Sequence, residues 1–276
     1  MRPVELQLPG LRLEGWSRAG DETWFRVHPP GLAIDVGRGA LQLGGAADVF
    51  ISHGHLDHAL GLPFVLSQRS LHRGLSTRVF CPHEIAESLA ALVAAAEGLE
   101  QAHYRWELVP LAPGDRAELS RDLLLEAFST DHVVPTLGLH LIRKKRRLDQ
   151  RLAGASREEL AALRERGEET TEIVEELAFA YCGDTGPAVF EREPRLFSTD
   201  VLMLECTFLG ERHRQLGGRY KHIHIEDLAE RAARFANRAI VLHHLSRRHS
   251  VGELRAAVAR HLPGLAERVH LLVEGT

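Results

Sequence analysis

Four side chains that can bind metal ions lie close together in the segment SHGHLDH, at positions 52–58. His53 and His55 alternate directly after an apolar stretch of strand length, so both can point to the same side and share one ion. Asp57 and His58 follow where the chain is expected to turn into a helix, and they can reach a second ion. Because imidazole and carboxylate groups are common zinc ligands, this segment predicts a metal centre at the end of a strand.

Three further residues of the same types each follow a predicted strand, namely His132, Asp184 and His244. Because the strand ends of an α/β sheet gather at one edge, we expect these side chains to lie near the first four. Asp184, in the segment CGDTG, has two carboxylate oxygens and can bridge two cations. The seven candidates would leave each ion a position open for water, so the sequence predicts a dinuclear site.

The elements that must position these residues alternate along the chain between apolar runs of strand length and helical patterns. The predicted strands cover residues 32–36, 48–52, 106–111, 123–128, 137–142, 177–182, 201–206, 239–243 and 268–273. The predicted helices cover residues 84–96, 226–237 and 252–261. This alternation predicts an α/β fold, and no repeat or linker indicates a domain boundary within residues 1–276.

Residues 143–176 interrupt the alternation and are predicted to form an inserted arm. The arm begins with five consecutive basic residues at 143–147, and Ser156 and Glu159 are then spaced as a helix capping box. Between 143 and 151, six basic residues and the single acidic Asp149 give a net charge of +5 in a chain whose net charge is −4. If this protein binds nucleic acid, it must use a local basic patch of this kind.

The composition is that of an ordinary globular protein, with 276 residues of which 44% are hydrophobic and 26% charged. It excludes a disordered, collagen-like or coiled-coil chain. The apolar run at 89–96 is far shorter than the ~18 residues of a membrane span, and no leader pattern precedes it. Three widely spaced cysteines, Cys81, Cys182 and Cys206, predict buried thiols rather than disulfides. We therefore expect a cytoplasmic protein with no membrane partner.

The motifs together resemble the metallo-β-lactamase superfamily and, within it, the ribonuclease Z family, most of all its short plant-type form. The resemblance runs nearly end to end and is carried by the segments IDVGRG, FISHGHLDHALGLP, CGDT, LECTF, KHIHIEDL and HLS. It implies a single domain with the αββα sandwich of that fold, in which two sheets lie between outer helices. It also implies two Zn²⁺ per chain, a homodimer, and precursor tRNA as the substrate from which a 3′ trailer is removed.

The resemblance implies a role for each motif residue. One zinc ion would be bound by His53, His55 and His132, the other by Asp57, His58 and His244, with Asp184 as the bridge. Asp57 could accept a proton from the attacking water. The family also has a catalytic histidine before the helix near residue 226, for which we choose His224 over His222, and Glu205 of LECTF could orient it. Asp35 in IDVGRG matches a position that supports the metal loop.

Other functions remain open at this stage, because one metal site serves many reactions and a fold does not fix the substrate. The alternative within enzymes is a hydrolase or phosphodiesterase that acts on a small molecule. A β-lactamase would leave His224 and LECTF without a role, and a diiron protein would prefer a carboxylate at His55. A nucleic-acid scaffold without activity usually loses ligands, whereas all seven are present here.

Overall fold

Two mixed β-sheets form the centre of the computed structural model, which describes residues 3–73, 75–210 and 213–273. Within these residues each sheet has seven strands. The first sheet contains β1 (Val4–Leu8), β2 (Leu11–Arg18), β3 (Glu22–His28), β4 (Leu32–Val36), β5 (Asp48–Phe50), β6 (Thr77–Pro82) and β7 (Trp106–Leu111). The second contains β8 (Arg116–Ser120), β9 (Leu123–Ser129), β10 (Leu137–Leu148), β11 (Thr171–Tyr181), β12 (Val201–Glu205), β13 (Ala239–His243) and β14 (Val269–Leu271).

The two sheets have the same strand pattern. In the first, β1 to β4 pair antiparallel in chain order, and β4 to β7 then pair in parallel. In the second, β8 to β11 pair antiparallel and β11 to β14 in parallel. Parallel strands bring their carboxyl ends to one edge of a sheet, so each half of the chain offers one such edge for a site.

The helices are α1 (Leu56–Ala59), α2 (Leu62–Arg73), α3 (Ala86–Glu100), α4 (Arg157–Glu165), α5 (Val189–Arg192), α6 (Arg214–Tyr220), α7 (Ile225–Ala229) and α8 (Val251–His261). Among them α2, α3, α7 and α8 pack on the outer faces of the sheets. The prediction of a helix over 226–237 is too long, because α7 is followed by a short 3₁₀ turn at Ala232–Arg234. There the N–H of Ala236 donates to the carbonyl of Phe197, so the chain leaves the helical path.

Three apolar clusters define the layers. The largest fills the space between the sheets with side chains such as Phe25, Leu139 and Phe179. A second cluster packs α7 and α8 against the second sheet, and a third packs α2 and α3 against the first. The four layers are those of the αββα sandwich, so the predicted fold class is confirmed.

The segment predicted as an arm is mostly a β-ribbon. Its basic run continues β10, and its last residues continue β11, so both strands are longer than predicted. The helix within it, α4, begins at the predicted capping box of Ser156 and Glu159. Acidic neighbours partner much of the basic run, since Lys144 pairs with Glu118 on β8 and Lys145 with Glu176 on β11.

The three cysteines are buried free thiols, as predicted. Burial raises the pKa of the Cys81 thiol to about 12 and those of Cys182 and Cys206 well above the usual value. In the part of the chain that the structure describes, no helix has both the length and the apolar character to cross a membrane.

Candidate metal centre

The structure brings all seven predicted ligands to the edge where the carboxyl ends of the parallel strands meet. Ligand atoms from one group of four lie within 4.8 Å of one another, and so do those of a group of three. The first group is His53, His55, His132 and Asp184, and the second is Asp57, His58 and His244. These are the two sets of ligands that the resemblance implied, with Asp184 in the first.

Asp184 lies between the two groups. One carboxylate oxygen is 3.8 Å from Nε2 of His53 and 3.2 Å from Nε2 of His244, and the other is 3.5 Å from Nε2 of His58. Gly183 precedes it with φ +62, a left-handed conformation that favours glycine, and a Cβ added there would lie only 3.2 Å from Cβ of Ser52. The bridging position predicted for Asp184 is therefore compatible with its contacts to both groups.

Unpaired polar atoms face one another in this cluster. Among the described residues, Nε2 of His53, His58 and His244 and Oδ1 of Asp184 are buried and have no hydrogen-bond partner. An unpaired buried polar atom costs about 1–3 kcal/mol, so four of them converging on one space would be unfavourable without a ligand. Nitrogen and carboxylate donors of this kind fit divalent metal ions such as zinc.

The other ring nitrogen of these histidines contacts a protein atom that orients the ring. Nδ1 of His58 is 2.8 Å from Asp35, that of His53 is 3.0 Å from the Ser52 hydroxyl, and that of His244 is 2.9 Å from the Thr207 hydroxyl. Each of these two hydroxyls donates its own proton to a carboxylate, so its oxygen is an acceptor towards the histidine. The Nδ1–H of His53 and that of His244 therefore donate to the hydroxyl oxygens. In such a tautomer Nε2 is the atom left to bind a metal.

Asp35 contacts the segment that carries the first four candidate ligands, which is the position that the resemblance implied for it. Its carboxylate accepts hydrogen bonds from the backbone N–H and the hydroxyl of Ser52, and from Tyr181 at 2.6 Å, in addition to its contact with His58. The residue is fully buried and has φ 50, an uncommon conformation for a side chain other than glycine. This strained position at the end of β4 is therefore held by four contacts.

Substitution of Asp35 by asparagine is expected to weaken metal binding about 10- to 100-fold, the usual effect of losing a partner that orients a ligand. The amide has only one acceptor oxygen, so it cannot accept both from the backbone N–H of Ser52, which contacts Oδ1, and from Nδ1 of His58, which contacts Oδ2. Competition with a chelator measures the affinity. The matched control is Asp48→Asn, which makes the same change in a carboxylate at the start of β5 that pairs with Arg78. Equal metal affinities of the two variants would contradict this role of Asp35.

Glu205, at the end of β12, connects the metal cluster to a histidine beyond it. It is fully buried, and its Oε2 accepts a hydrogen bond from Thr207, which contacts the ligand His244. Its Oε1 is 2.6 Å from Nδ1 of His222 and also accepts from the N–H of Thr185. One carboxylate therefore supports a ligand on one side and orients a second histidine on the other.

The prediction that Glu205 orients His224 is wrong, because its partner is His222. Nδ1 of His224 instead accepts from the N–H of Glu226 and caps α7, and its Nε2 is 3.2 Å from the Gly210 carbonyl. His224 is buried away from the cavity, whereas His222 lines it. His222 also forms a third group of potential ligands with Asp184 and His244.

Charges within the cluster shift the acidities of its members. Burial alone would lower the pKa of His222, but the Glu205 carboxylate raises it to about 9. Burial opposes ionisation of Asp184 also, yet the surrounding histidines hold the pKa of its carboxyl well below the usual value. Burial and the neighbouring His58 hold the pKa of His53 well below its usual value, so that ring is neutral and able to bind a metal.

An open cavity of about 670 Å³ gives access to the cluster. Four of its histidines line the cavity, namely His55, His132, His222 and His244. Sequence reasoning missed the role of the segment before His222, where the carbonyl of Lys221 is 3.4 Å from Nδ1 of His132. Its ammonium pairs with Asp131, so Lys221 connects the loop of His132 to that of His222. No sequence motif indicated this contact.

A cluster of potential metal ligands at the shared edge of an αββα sandwich is characteristic of the metallo-β-lactamase superfamily of hydrolases. The family model described as the beta-lactamase superfamily domain matches residues 36–245. The tRNase Z TRZ1 of Arabidopsis thaliana is 32% identical over 273 residues, covering 98% of each chain. A ribonuclease Z of Kineococcus radiotolerans is 30% identical over 305 residues, covering 98% of this chain and 93% of that one. The chain therefore belongs to the ribonuclease Z family of this superfamily.

Solved structures agree with this assignment at the level of the fold. The human tRNase Z, short form, has a TM-score of 0.61 and 16% identity over 94% of this chain and 95% of that chain. At such low identity the likeness concerns the fold alone. The family resemblance inferred from the sequence, including its plant-type character, is confirmed by the match to the Arabidopsis thaliana tRNase Z proteins.

Proposed function

We propose that this protein is an endoribonuclease that removes the 3′ trailer from precursor tRNA and leaves a 3′ hydroxyl. The observation that carries the proposal is His222, which the buried Glu205 orients and which lines the same cavity as the potential ligands His55, His132 and His244. A general acid beside a metal centre suits phosphodiester hydrolysis, because the metal ions activate water and the acid protonates the leaving oxygen. The curated relatives named tRNase Z and ribonuclease Z support the choice of substrate.

The residues present fit two zinc ions. One would be held by His53, His55 and His132, the other by Asp57, His58 and His244, with Asp184 shared between them. When bound, such ions lower the pKa of water and neutralise the charge that develops on phosphoryl oxygens. The unpaired Nε2 atoms and the Asp184 oxygen support this assignment.

Two side chains move protons in the proposed reaction. A water oxygen forms a bond to phosphorus, Asp57 accepts the proton of that water, and the bond from phosphorus to the 3′ oxygen breaks. His222 donates its proton to the departing 3′ oxygen, and Glu205 keeps that imidazole oriented and charged. The products are a tRNA with a 3′ hydroxyl and a trailer with a 5′ phosphate.

The proposal is tested with a precursor tRNA that carries a 3′ trailer, assayed beside a chromogenic phosphodiester with the same zinc-loaded protein. Cleavage at one site, with a 3′ hydroxyl on the tRNA and a 5′ phosphate on the trailer, is the expected result. Hydrolysis of the small ester without cleavage of RNA would instead support a phosphodiesterase for small substrates. No activity on either substrate would contradict both functions.

The arm, as an insertion into a single domain, is proposed to contribute a weak contact to tRNA. In the described part of the chain Arg146 has no acidic partner, whereas Lys144, Lys145 and Arg147 form ion pairs. Changing all four to alanine should therefore reduce the slope of log affinity against log salt by about 0.7–0.9, the value of one phosphate contact. Filter binding at several salt concentrations measures the slope. A reduction of the slope about four times as large would show that the ion pairs open to bind RNA. An unchanged slope would show that the arm does not contact the RNA.

A homodimer is also proposed, with a second copy covering the outer face of α1 and α2. Leu56 on α1, Leu60 in the turn after it and Phe64 on α2 follow one another along the chain, and their exposed fractions are 65%, 44% and 41%. An apolar stripe of this kind on the surface marks an interaction site, and a twofold axis can pair it with itself.

Changing both Leu60 and Phe64 to aspartate is expected to convert the dimer to a monomer, because like charges would face each other across the axis. Sedimentation velocity at micromolar concentration measures the species. Leu99→Asp is the matched control, since that leucine is 87% exposed outside the stripe. A wild-type protein that sediments as a monomer would exclude this interface.

A further inference from the structure

The cavity beside the metal cluster has an apolar wall that the proposed reaction does not use. Tyr220, at the end of α6, is 47% exposed, and Val133, next to the ligand His132, is 52% exposed. Both line the cavity together with the buried Phe208, whose ring centre is 6.1 Å from that of His222. Large apolar side chains that remain exposed within a polar site mark a surface for an apolar ligand group.

The position of Tyr220 in the chain indicates which part of the substrate it faces. It precedes His222 by two residues, and Lys221 between them has a left-handed conformation with φ 54 that turns the chain sharply. In the proposed function His222 protonates the 3′ oxygen that leaves. The ribose that carries this oxygen would then lie beside His222, and Tyr220, which lines the same cavity two residues earlier in the chain, is the aromatic ring available to its base.

The chemistry of the wall suits a nucleobase. A tyrosine ring stacks on any base, because every base has a π face, and such stacking does not require a particular sequence. The guanidinium of Arg219 lies over the Tyr220 ring, 5.5 Å from its centre, so a cation that can attract a nucleotide phosphate adjoins the platform. A cavity of about 670 Å³ is large enough for a nucleotide together with the metal-bound phosphate.

We infer that Tyr220 stacks on the base of the nucleotide immediately 5′ of the scissile phosphate, with Val133 as the apolar side of the platform. This inference rests on the proposed function and adds a residue that positions the end of the tRNA product. Tyr220 thereby contributes to the choice of the cleavage site, since it holds the ribose whose 3′ oxygen leaves.

The test combines variants of the full protein with precursor tRNAs that lack one base. Tyr220→Ala should lower kcat/KM for the intact precursor about 10- to 100-fold, whereas Tyr220→Phe should stay within about twofold because it keeps the ring. On a precursor that is abasic 5′ of the scissile phosphate, the alanine variant and the wild type should be equal. On one that is abasic 3′ of it, the full difference should persist. Metal content should be unchanged in both variants.

Three outcomes would overturn the inference. Equal activity of Tyr220→Ala and wild type on the intact precursor would remove the contact. A defect that persists on the 5′ abasic precursor would give Tyr220 a role other than stacking on that base, and a defect that vanishes on the 3′ abasic precursor would move the contact to the trailer. If the wild-type protein cleaved no RNA, the proposed function itself would be wrong, and the assignment of a nucleobase to Tyr220 would be wrong with it.

Discussion

Substitution of His222 by alanine is expected to lower kcat on precursor tRNA about 10²- to 10⁴-fold, the range for removal of a general acid. The bound zinc should stay at the wild-type amount, because the seven proposed ligands are untouched. His222→Gln should be equally defective, since an amide can still contact Glu205 but cannot donate a proton to the 3′ oxygen. Single-turnover cleavage at saturating enzyme separates this loss of rate from a change in binding.

A substrate with sulfur in place of the leaving 3′ oxygen sharpens the test of His222. A thiolate leaves without a proton far more readily than an alkoxide, so the alanine variant should recover most of its rate on this substrate. His224→Ala is the control two residues away. It should cost about 0.5–2 kcal/mol of stability through loss of the α7 cap and leave kcat within about threefold. A larger loss of kcat in His224→Ala than in His222→Ala would restore the assignment made from the sequence.

Asp184→Asn is expected to weaken the binding of both metal ions and to lower kcat at least about 10²-fold. The carboxylate contacts histidines of both groups, so its charge and its second oxygen serve both ions. Loss of an outer partner alone costs about 10- to 100-fold in affinity or activity, and loss of the bridge should cost at least the upper value. Zinc content after dialysis and single-turnover rates measure the two effects.

The matched control for Asp184→Asn is Asp122→Asn, which makes the same chemical change on an exposed residue before β9. It should retain both metal ions and the full rate. An Asp184→Asn protein that kept both ions would place the bridge elsewhere. One that lost a single ion would assign Asp184 to one group only.

Two strands near the site, β4 and β13, could be predicted because they are short apolar runs that are buried along their whole length. β4 and β13 have the predicted boundaries, and all five residues of each are buried. Among the strands that the sequence did not predict, β8 has a weak signal. β8 reads RAELS and has three exposed residues, and its alanine, glutamate and leucine favour helices. Pairing with β9 holds it in the sheet, which is a tertiary effect.

The metal ligands could be predicted because a motif and the ends of strands point to the same edge, but the choice between His222 and His224 could not. Both histidines precede α7 and are two residues apart, so periodicity treats them alike. The contact with Glu205 decides between them, and it joins residues 17 positions apart across two elements.

Charge along the arm was misjudged for a similar reason. The sequence shows five consecutive basic residues, whereas their acidic partners come from β8 and β11 and are distant in the chain. A net charge computed over a window cannot include such partners. The extent of β10 and β11 was likewise underestimated, because long basic side chains obscure the apolar pattern of a strand.

Zinc content per chain, measured by elemental analysis of protein purified without chelator, tests the metal centre most directly. Two groups of ligand atoms joined by Asp184 predict close to two equivalents. The Asp184→Asn protein, prepared in parallel, should fall well below that value. A wild-type protein that held close to zero equivalents even after zinc supplementation would contradict the account, because the buried Nε2 atoms and the Asp184 oxygen would then need another explanation.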